Sequence, residues 1–159
     1  MRTRSIIIAL LVIITIESIV FAALTTGAVD VTRPTDTGSM RPTYDGDDVV
    51  ILTSAGDVQS GDIILITPPD WETRDDDEPS HVLHRALFHV EEGENWYDRA
   101  DEQYVGEADS CSELRYCPAP RDGWITKGDN NRMYDQAGGL LPVVPRGWVT
   151  GSPAVSVSL

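Results

Sequence analysis

An apolar segment at the N-terminus constrains this chain more than any other feature. Residues 6–24 contain 13 Ile, Leu, Val and Phe side chains and one charged residue, Glu17. A run of about 20 apolar residues is long enough to cross a bilayer as a helix. These side chains contribute about −0.3 to −0.6 kcal/mol each, which outweighs a cost of about 3 kcal/mol for Glu17. We therefore predict a membrane anchor over residues 1–28.

The charges that flank this segment predict its orientation. Arg2 and Arg4 precede the apolar run, and basic residues next to a span remain on the cytoplasmic side. The alternative is a cleavable signal peptide, since Ala22 and Ala23 follow a basic start and an apolar run. Both interpretations predict that residues 29–159 form a domain outside the cytoplasm.

The composition restricts the number of domains and the classes of partner. The chain has 159 residues, so one compact domain remains after the apolar segment. Its net charge is −14, because 26 acidic residues face 12 basic ones, of which Lys127 is the only lysine. Nucleic-acid binding needs a basic surface and is therefore not expected. The acidic excess is typical of a surface that stays hydrated in high salt, and we expect a halophilic source.

The pattern of apolar runs after the leader predicts an all-β domain. Short runs of β-branched residues lie between Gly, Pro, Asn and Asp turn signals, without an internal repeat or a long amphipathic helix. Trp96 and Tyr97 are candidates for the start of a further short strand. The chain closes with the apolar pair Val143-Val144 and with the segment 147–150, which contains Trp148 and Val149. The principal strands are predicted at 49–52, 63–66, 81–90 and 123–126.

Two polar stretches interrupt this pattern and are predicted to be insertions. Residues 70–80 carry a run of acidic side chains, which favours an exposed loop. Residues 93–121 are rich in turns and contain Cys111 and Cys117. In a chain outside the cytoplasm, these cysteines could close a small loop worth about 2 kcal/mol, or remain two free thiols.

Ser39 is the candidate nucleophile, in the small polar loop 37–43. A serine hydroxyl reacts at neutral pH only when a base takes its proton and donors stabilise the oxyanion. All three histidines, His81, His84 and His89, lie in one predicted strand. In a regular strand, His84 faces away from the other two. The His81–His84 spacing could suggest zinc, but no third ligand lies nearby, so no metal is expected.

Four short motifs lie in order between residues 37 and 151. A serine followed by Met comes first, then a Gly-Asp pair before a strand, then a His-Arg pair, then a Gly-Asp-Asn-Asn turn with a second Asp six residues after the first. In this sequence they are Gly38-Ser39-Met40-Arg41-Pro42-Thr43, Gly61-Asp62-Ile63-Ile64, His84-Arg85, and Thr126-Lys127-Gly128-Asp129-Asn130-Asn131 with Asp135.

Together these motifs resemble the ordered boxes of type I signal peptidases, and the archaeal and endoplasmic-reticulum branch most closely. The resemblance implies a signal-peptidase-type fold, a partly open β-barrel or pair of small antiparallel sheets behind one N-terminal transmembrane helix. It also implies a membrane-bound serine endopeptidase that removes signal peptides from secretory preproteins. The expected partners are preproteins with small side chains before the cut, membrane lipid and the protein translocation machinery. No cofactor is expected.

The resemblance implies a role for each matched residue. Ser39 is expected to attack the substrate carbonyl carbon, and His84 to act as general base. Asp135 is expected to hold the imidazole in the required tautomer, while Asp129 is a second candidate for that role or a support for the loop. The backbone N–H groups near Ser39 are expected to contribute to the oxyanion hole.

Two alternatives and one departure from the family pattern remain at this stage. Bacterial-type signal peptidases pair the serine with a neutral lysine, so Lys127 is a rival base for Ser39. Arg41 follows Met40 where the family commonly has an acidic residue. Finally, the chain could be a noncatalytic, membrane-anchored acidic interaction domain that keeps the same fold.

Overall fold

A computed structural model of the chain describes residues 14, 17–18, 29–32, 37–71 and 80–158. The predicted all-β class is confirmed, because these residues form one antiparallel sheet of six strands and only short helices. The strands are β1 (Val29–Thr32), β2 (Asp48–Thr53), β3 (Ile63–Ile66), β4 (Val82–Val90), β5 (Gly123–Lys127) and β6 (Val149–Ser158).

The last strand of the chain lies in the middle of the sheet. The strand order is β1-β2-β6-β3-β4-β5, and every neighbouring pair is antiparallel. The later part of β6 pairs with β2, where Val155 lies opposite Ile51. Its first residues pair with β3, where Gly151 lies opposite Leu65. Strand β6 therefore joins β1 and β2 to the three strands that carry the histidines and the Gly-Asp-Asn-Asn turn.

From residue 29 onward, the helices of the described residues are all short. One α-helical turn, α1 (Asp135–Gly138), follows β5 and ends at Gly139, whose φ of 75° is in the left-handed region that glycine adopts most readily. The remaining helices are single 3₁₀ turns in the connections, at Pro69–Trp71, Trp96–Arg99, Glu102–Tyr104, Cys111–Glu113 and Arg146–Trp148.

The strand predictions agree with the sheet, with three exceptions. The prediction for 63–66 matches β3, and those for β2, β4 and β5 are within one residue at each end. The suggestion of a strand at Trp96 was wrong, because this residue begins a 3₁₀ helix. The pair 143–144 makes only an isolated bridge, between Val144 and Trp124. Strands β1 and most of β6 were not predicted, because pairing with β2 rather than an apolar run of their own gives them their extended form.

A bulge in β4 changes the expected arrangement of the histidines. Ala86 lies opposite Thr126 and Phe88 lies opposite Ile125, so Leu87 is an extra residue on β4. A bulge of this kind reverses the alternation of faces beyond it. The expectation that His84 and His89 lie on opposite faces assumed a regular strand and was wrong for this reason. Burial distinguishes them instead, since His84 is 1% exposed and His89 is exposed.

The turn-rich segment 93–121 contributes to the core. Trp96 is fully buried, and its Nε1 donates a hydrogen bond of 2.8 Å to the Tyr116 carbonyl. Tyr134 is also buried, and the rings of Phe88, Trp96 and Tyr104 pack edge-on against it. Cys111 and Cys117 form a disulfide, so the disulfide rather than the free-thiol alternative is realised.

The predicted N-terminal anchor and the acidic loop fall mostly outside the described residues. Of residues 1–28, only 14, 17 and 18 are described, and they are helical. In the parts of the chain that the structure describes, no helix has the length and apolar character to cross a membrane. Most of the 70–80 stretch, residues 72–79, is likewise not described. The anchor and the acidic insertion therefore remain predictions.

Removing the Trp96 side chain is expected to destabilise the domain. Trp96→Ala creates a cavity and leaves the Tyr116 carbonyl without its donor, so we expect the free energy of unfolding to fall by about 3–5 kcal/mol. Urea denaturation measures this change. Leu140→Ala is the control, because Leu140 is 47% exposed and should change stability by less than about 0.5 kcal/mol. Equal stability of both variants would show that segment 93–121 is not part of the cooperative core.

Candidate active site

The Ser39 loop is held against the turn that follows β5. The backbone N–H of Asn130 donates to the Ser39 carbonyl at 2.8 Å, and the Asn130 side-chain amide donates to the Gly38 carbonyl at 3.1 Å. Gly128 permits this approach, because a Cβ at that position would lie 2.7 Å from the Ser39 carbonyl oxygen. The Gly-Asp-Asn-Asn sequence thus fixes the backbone of Ser39 from a distant part of the chain.

His84 brings an imidazole nitrogen to the Ser39 hydroxyl. It lies on β4, opposite Ile64 of β3, and is 1% exposed. Its Nε2 is 3.2 Å from Ser39 Oγ. This distance is at the long end of the range for a nucleophile and its general base, and such contacts tighten when substrate binds. Ser39 and His84, which were predicted to act together, are adjacent.

Asp135 contacts the other nitrogen of His84. It begins α1, is 2% exposed, and its Oδ2 accepts hydrogen bonds of 2.7 Å from His84 Nδ1 and from Thr126 Oγ1. The Gln136 amide donates to the Thr126 hydroxyl at 3.3 Å, which directs the hydroxyl hydrogen towards Asp135. A proton on Nδ1 leaves the lone pair of His84 Nε2 facing Ser39, which is the tautomer that a general base requires.

Thr37 donates a hydrogen bond to the Ser39 hydroxyl. Its Oγ1 donates to Ser39 Oγ at 3.2 Å. The oxygen of Ser39 therefore accepts from Thr37 while its own hydrogen is directed to His84 Nε2. Among the described residues, the backbone N–H of Ser39 has one long contact of 3.4 Å, also with Thr37 Oγ1. This N–H could therefore donate to a stronger acceptor next to Ser39 Oγ.

Asp129 binds an arginine instead of the histidine. Its carboxylate accepts from Arg85 Nε at 2.8 Å and Nη2 at 2.6 Å, and from the Thr43 hydroxyl. Arg85 also donates to the Gly61 carbonyl at 2.7 Å. Burial acts to raise the pKa of Asp129, but the hydrogen bonds from Arg85 and Thr43 hold this pKa below its usual value. Of the two acidic candidates, Asp135 therefore contacts His84, and Asp129 ties the Ser39 loop to β4.

Lys127 is buried beneath the turn and is fully occupied by backbone carbonyls. Its Nζ donates to the carbonyls of Gly128 at 2.9 Å, Asp129 at 3.2 Å and Asn131 at 2.9 Å. Three acceptors require the three hydrogens of an ammonium, whereas a neutral amine has two hydrogens and a lone pair. Burial lowers the pKa of Lys127, and the charges of Asp129 and Asp135 oppose this shift. These contacts favour His84 over Lys127 as the base for Ser39.

A cleft opens beside the nucleophile, between the Ser39 loop and the start of β4. Its floor is apolar, since Met40 is 3% exposed and Leu83 is 7% exposed. Tyr44 and the exposed Asp45 also line it. The residues that line it are Gly38, Ser39, Met40, Tyr44, Asp45, Gly46, Val82 and Leu83.

No metal ligand set is found in the described ranges. Within them, no group of three or more His, Cys, Asp or Glu side chains could hold an ion. His81 Nδ1 is 3.3 Å from Ser80 Oγ. The His81–His84 spacing does not form part of a metal-binding group in this part of the chain.

Several polar residues of the site had no role in the sequence analysis. Thr126 and Gln136 are fully buried and fix the hydrogen-bond geometry of Asp135, while Arg85 and Thr43 bind Asp129. Thr126 and Arg85 are part of the quoted motifs, and a polar residue inside a buried strand is itself a signal of a specific partner. Gln136 had no such signal, because its function depends on the turn that returns α1 to β5.

Comparison with known proteins does not assign the chain to a family. No protein-family description matches the sequence, and no curated protein is significantly similar to it.

Replacing Asp129 should give a pH-dependent loss of stability. The lowered pKa of Asp129 means that the folded state binds its proton less tightly than the unfolded state, so the carboxylate stabilises the fold above pH 3.8. This contribution is lost as the pH falls through the lowered pKa. We expect Asp129→Asn to cost about 1–3 kcal/mol at pH 7 and progressively less below pH 3.8.

Denaturation at several pH values measures this difference. Asp57→Asn is the matched control, because Asp57 is exposed and its replacement should change stability by less than about 0.5 kcal/mol at each pH. A cost for Asp129→Asn that stays constant into strong acid would contradict the ion pair with Arg85.

Proposed function

We propose that this protein is a membrane-bound serine endopeptidase that removes signal peptides from secretory preproteins. The observation that carries the proposal is the continuous chain of contacts from Ser39 Oγ through His84 Nε2 and Nδ1 to Asp135 Oδ2, with distances of 3.2 and 2.7 Å. The order of the motifs in the sequence, which resembles that of type I signal peptidases, supports the choice of substrate.

The contacts suggest how the reaction proceeds. Ser39 Oγ attacks the carbonyl carbon of the last residue of the signal peptide as His84 Nε2 takes its proton. Asp135 stabilises the imidazolium that forms. The Ser39 N–H and the Thr37 hydroxyl lie close to the reacting oxygen and are the candidate donors to the oxyanion. His84 then protonates the leaving amine, and water hydrolyses the acyl-enzyme.

The cleft beside Ser39 supports a peptide substrate with small side chains near the cut. Its floor carries the buried side chains of Met40 and Leu83, which leave little depth next to the nucleophile. Small side chains at the first and third positions before the cut are what the resemblance implies. An extended peptide between the loop and β4 would direct alternate side chains into the cleft.

The location of the enzyme follows from the apolar segment of the sequence. Ser39 comes 15 positions after Leu24, at which the apolar run ends, so an extended linker reaches at most about 50 Å. With the N-terminus in the cytoplasm, the nucleophile would act at the outer membrane surface. There it would meet preproteins that leave the translocation machinery, with membrane lipid as its surroundings.

The alternative is a noncatalytic interaction domain with the same fold. A purely structural domain does not require a buried carboxylate with one unpartnered oxygen next to an imidazole. Oδ1 of Asp135 is such an atom, because it is buried without a hydrogen-bond partner among the described residues. A buried polar atom without a partner is rare in folded proteins, and functional sites are one place where it occurs.

Removal of the nucleophile should abolish cleavage. We expect Ser39→Ala and His84→Ala each to reduce kcat by about 10⁴-fold or more, because neither residue can replace the other in forming the acyl-enzyme. The assay follows cleavage of a preprotein by the full-length protein in membranes, together with labelling by a serine-reactive acylating probe. Leu140→Ala, a substitution of an exposed side chain, is the control. Cleavage by Ser39→Ala at the wild-type rate would exclude the enzyme and favour the interaction domain.

Asp135 and Asp129 should differ in their effects on cleavage. Asp135→Asn removes the acceptor that selects the tautomer of His84, and we expect kcat to fall by about 10³- to 10⁴-fold with KM little changed. Asp129→Asn is the matched comparison, because it alters a carboxylate that binds Arg85 and not His84. It should reduce kcat by less than about 30-fold at a temperature where the variant is folded. The reverse order would assign the orienting role to Asp129.

A further inference from the structure

We propose that Lys127 is a positioning residue, whose buried ammonium holds the 128–131 turn in the form that fixes Ser39. Tyr104, from the turn-rich segment 93–121, covers this ammonium and helps to hold it in place. The inference rests on the proposed function, because it concerns the placement of the Ser39 nucleophile. It gives a function to the only lysine of the chain and to a segment that the reaction itself does not use.

The first step is the geometry of the ammonium. Lys127 is 7% exposed, and the three carbonyls that accept its hydrogens all belong to the following turn, at Gly128, Asp129 and Asn131. Each hydrogen has one acceptor. The two nearby acids have other partners, since Asp129 binds Arg85 and Asp135 binds His84. A buried cation satisfied by backbone carbonyls determines the conformation of the turn that supplies them.

The second step is the opposite side of that turn. While its carbonyls point to Lys127, Asn130 presents its N–H to the Ser39 carbonyl at 2.8 Å and its side-chain amide to the Gly38 carbonyl at 3.1 Å. Gly128 lies so close to Ser39 that no side chain could be added there. The turn is thus bound to Lys127 on one side and to the nucleophile on the other. A change in its conformation would move Ser39 relative to His84.

The third step is the cover over the ammonium. The ring centroid of Tyr104 is 4.5 Å from Lys127 Nζ, within the range of a cation–π interaction. The Tyr104 carbonyl also accepts a hydrogen bond of 3.0 Å from the N–H of Tyr134, the residue before Asp135. Tyr104 therefore contacts both the lysine that fixes the turn and the backbone that leads into Asp135.

The experiment compares Lys127→Met with Lys127→Arg in the full-length protein. Methionine has a similar length but no hydrogens to donate, whereas arginine keeps a cation and several donors. We expect kcat of Lys127→Met to fall by about 10- to 100-fold with KM within about twofold, because misplacement of the nucleophile slows chemistry more than binding. Lys127→Arg should retain more of kcat than Lys127→Met. The rate of Ser39 acylation by a serine-reactive probe should fall in parallel, at equal folded fraction by circular dichroism.

Tyr104 provides a second test, which remains valid if Lys127→Met does not fold. Tyr104→Leu removes the ring above the ammonium and should reduce kcat by about 2- to 30-fold, whereas Tyr104→Phe, which keeps the ring, should lose less. Tyr116→Leu is the matched control from the same segment. Tyr116 also stacks on a cation, with Arg115 5.3 Å from its ring centroid, and in the described residues this pair has no hydrogen bond to the 128–131 turn.

The outcomes distinguish this inference from the proposed function. Wild-type kcat in Lys127→Met, or equal kcat in Tyr104→Leu and Tyr116→Leu, would overturn the positioning role while Ser39→Ala remained inactive. Loss of cleavage to the level of Ser39→Ala in both Lys127→Met and Lys127→Arg would also overturn it, in favour of Lys127 as the base. Full cleavage by Ser39→Ala would instead remove the proposed function itself.

Discussion

The contact between His84 and Asp135 is the interaction on which the rest of the site depends. Both side chains are 1% exposed, and 2.7 Å separates Nδ1 from Oδ2. Removing an ionisable pair from water costs several kcal/mol per charge unless other hydrogen bonds compensate. Thr126 provides such a bond to Oδ2, but Oδ1 has no partner in the described part of the chain. The carboxylate is thus directed towards one nitrogen of the histidine, as the orienting role in the proposed function requires.

This requirement explains why the domain needs contacts between distant parts of the sequence. His84 is on β4, Asp135 begins α1, and Ser39 lies in the loop before β2. The pairing of β4 with β5 brings the Gly-Asp-Asn-Asn turn next to the Ser39 loop. The turn and the loop are then joined by the Thr43 hydroxyl, which donates to Asp129, and by Asn130, which donates to the carbonyls of Gly38 and Ser39. The sheet thus holds the turn in place, and the turn holds Ser39 in place.

The sequence predicted which residues meet at the site better than it predicted their surroundings. Ser39, His84 and Asp135 could be found because their residue types and order carry information before folding. Trp96 and Gln136 could not, because their burial results from packing: Trp96 lies in a polar, turn-rich stretch, and Gln136 meets Thr126 only when α1 turns back to β5. The bulge at Leu87 was hidden for a similar reason, since period-two alternation assumes that each residue of β4 has one partner. The sequence of β6 has only a weak strand pattern. This strand is extended because β2 and β3 both pair with it.

The charge of the domain surface differs from the charge near Ser39. The chain carries a net charge of −14, and most of its acidic side chains in the described residues are exposed. Near Ser39 the balance is different, because Arg85 lies against Asp129 and the Lys127 ammonium lies beneath the same turn. Salt screens exposed charges over about 8–10 Å at moderate concentrations but affects buried pairs much less. High salt can therefore relieve repulsion on the acidic surface while the contacts that align His84 with Ser39 keep their strength.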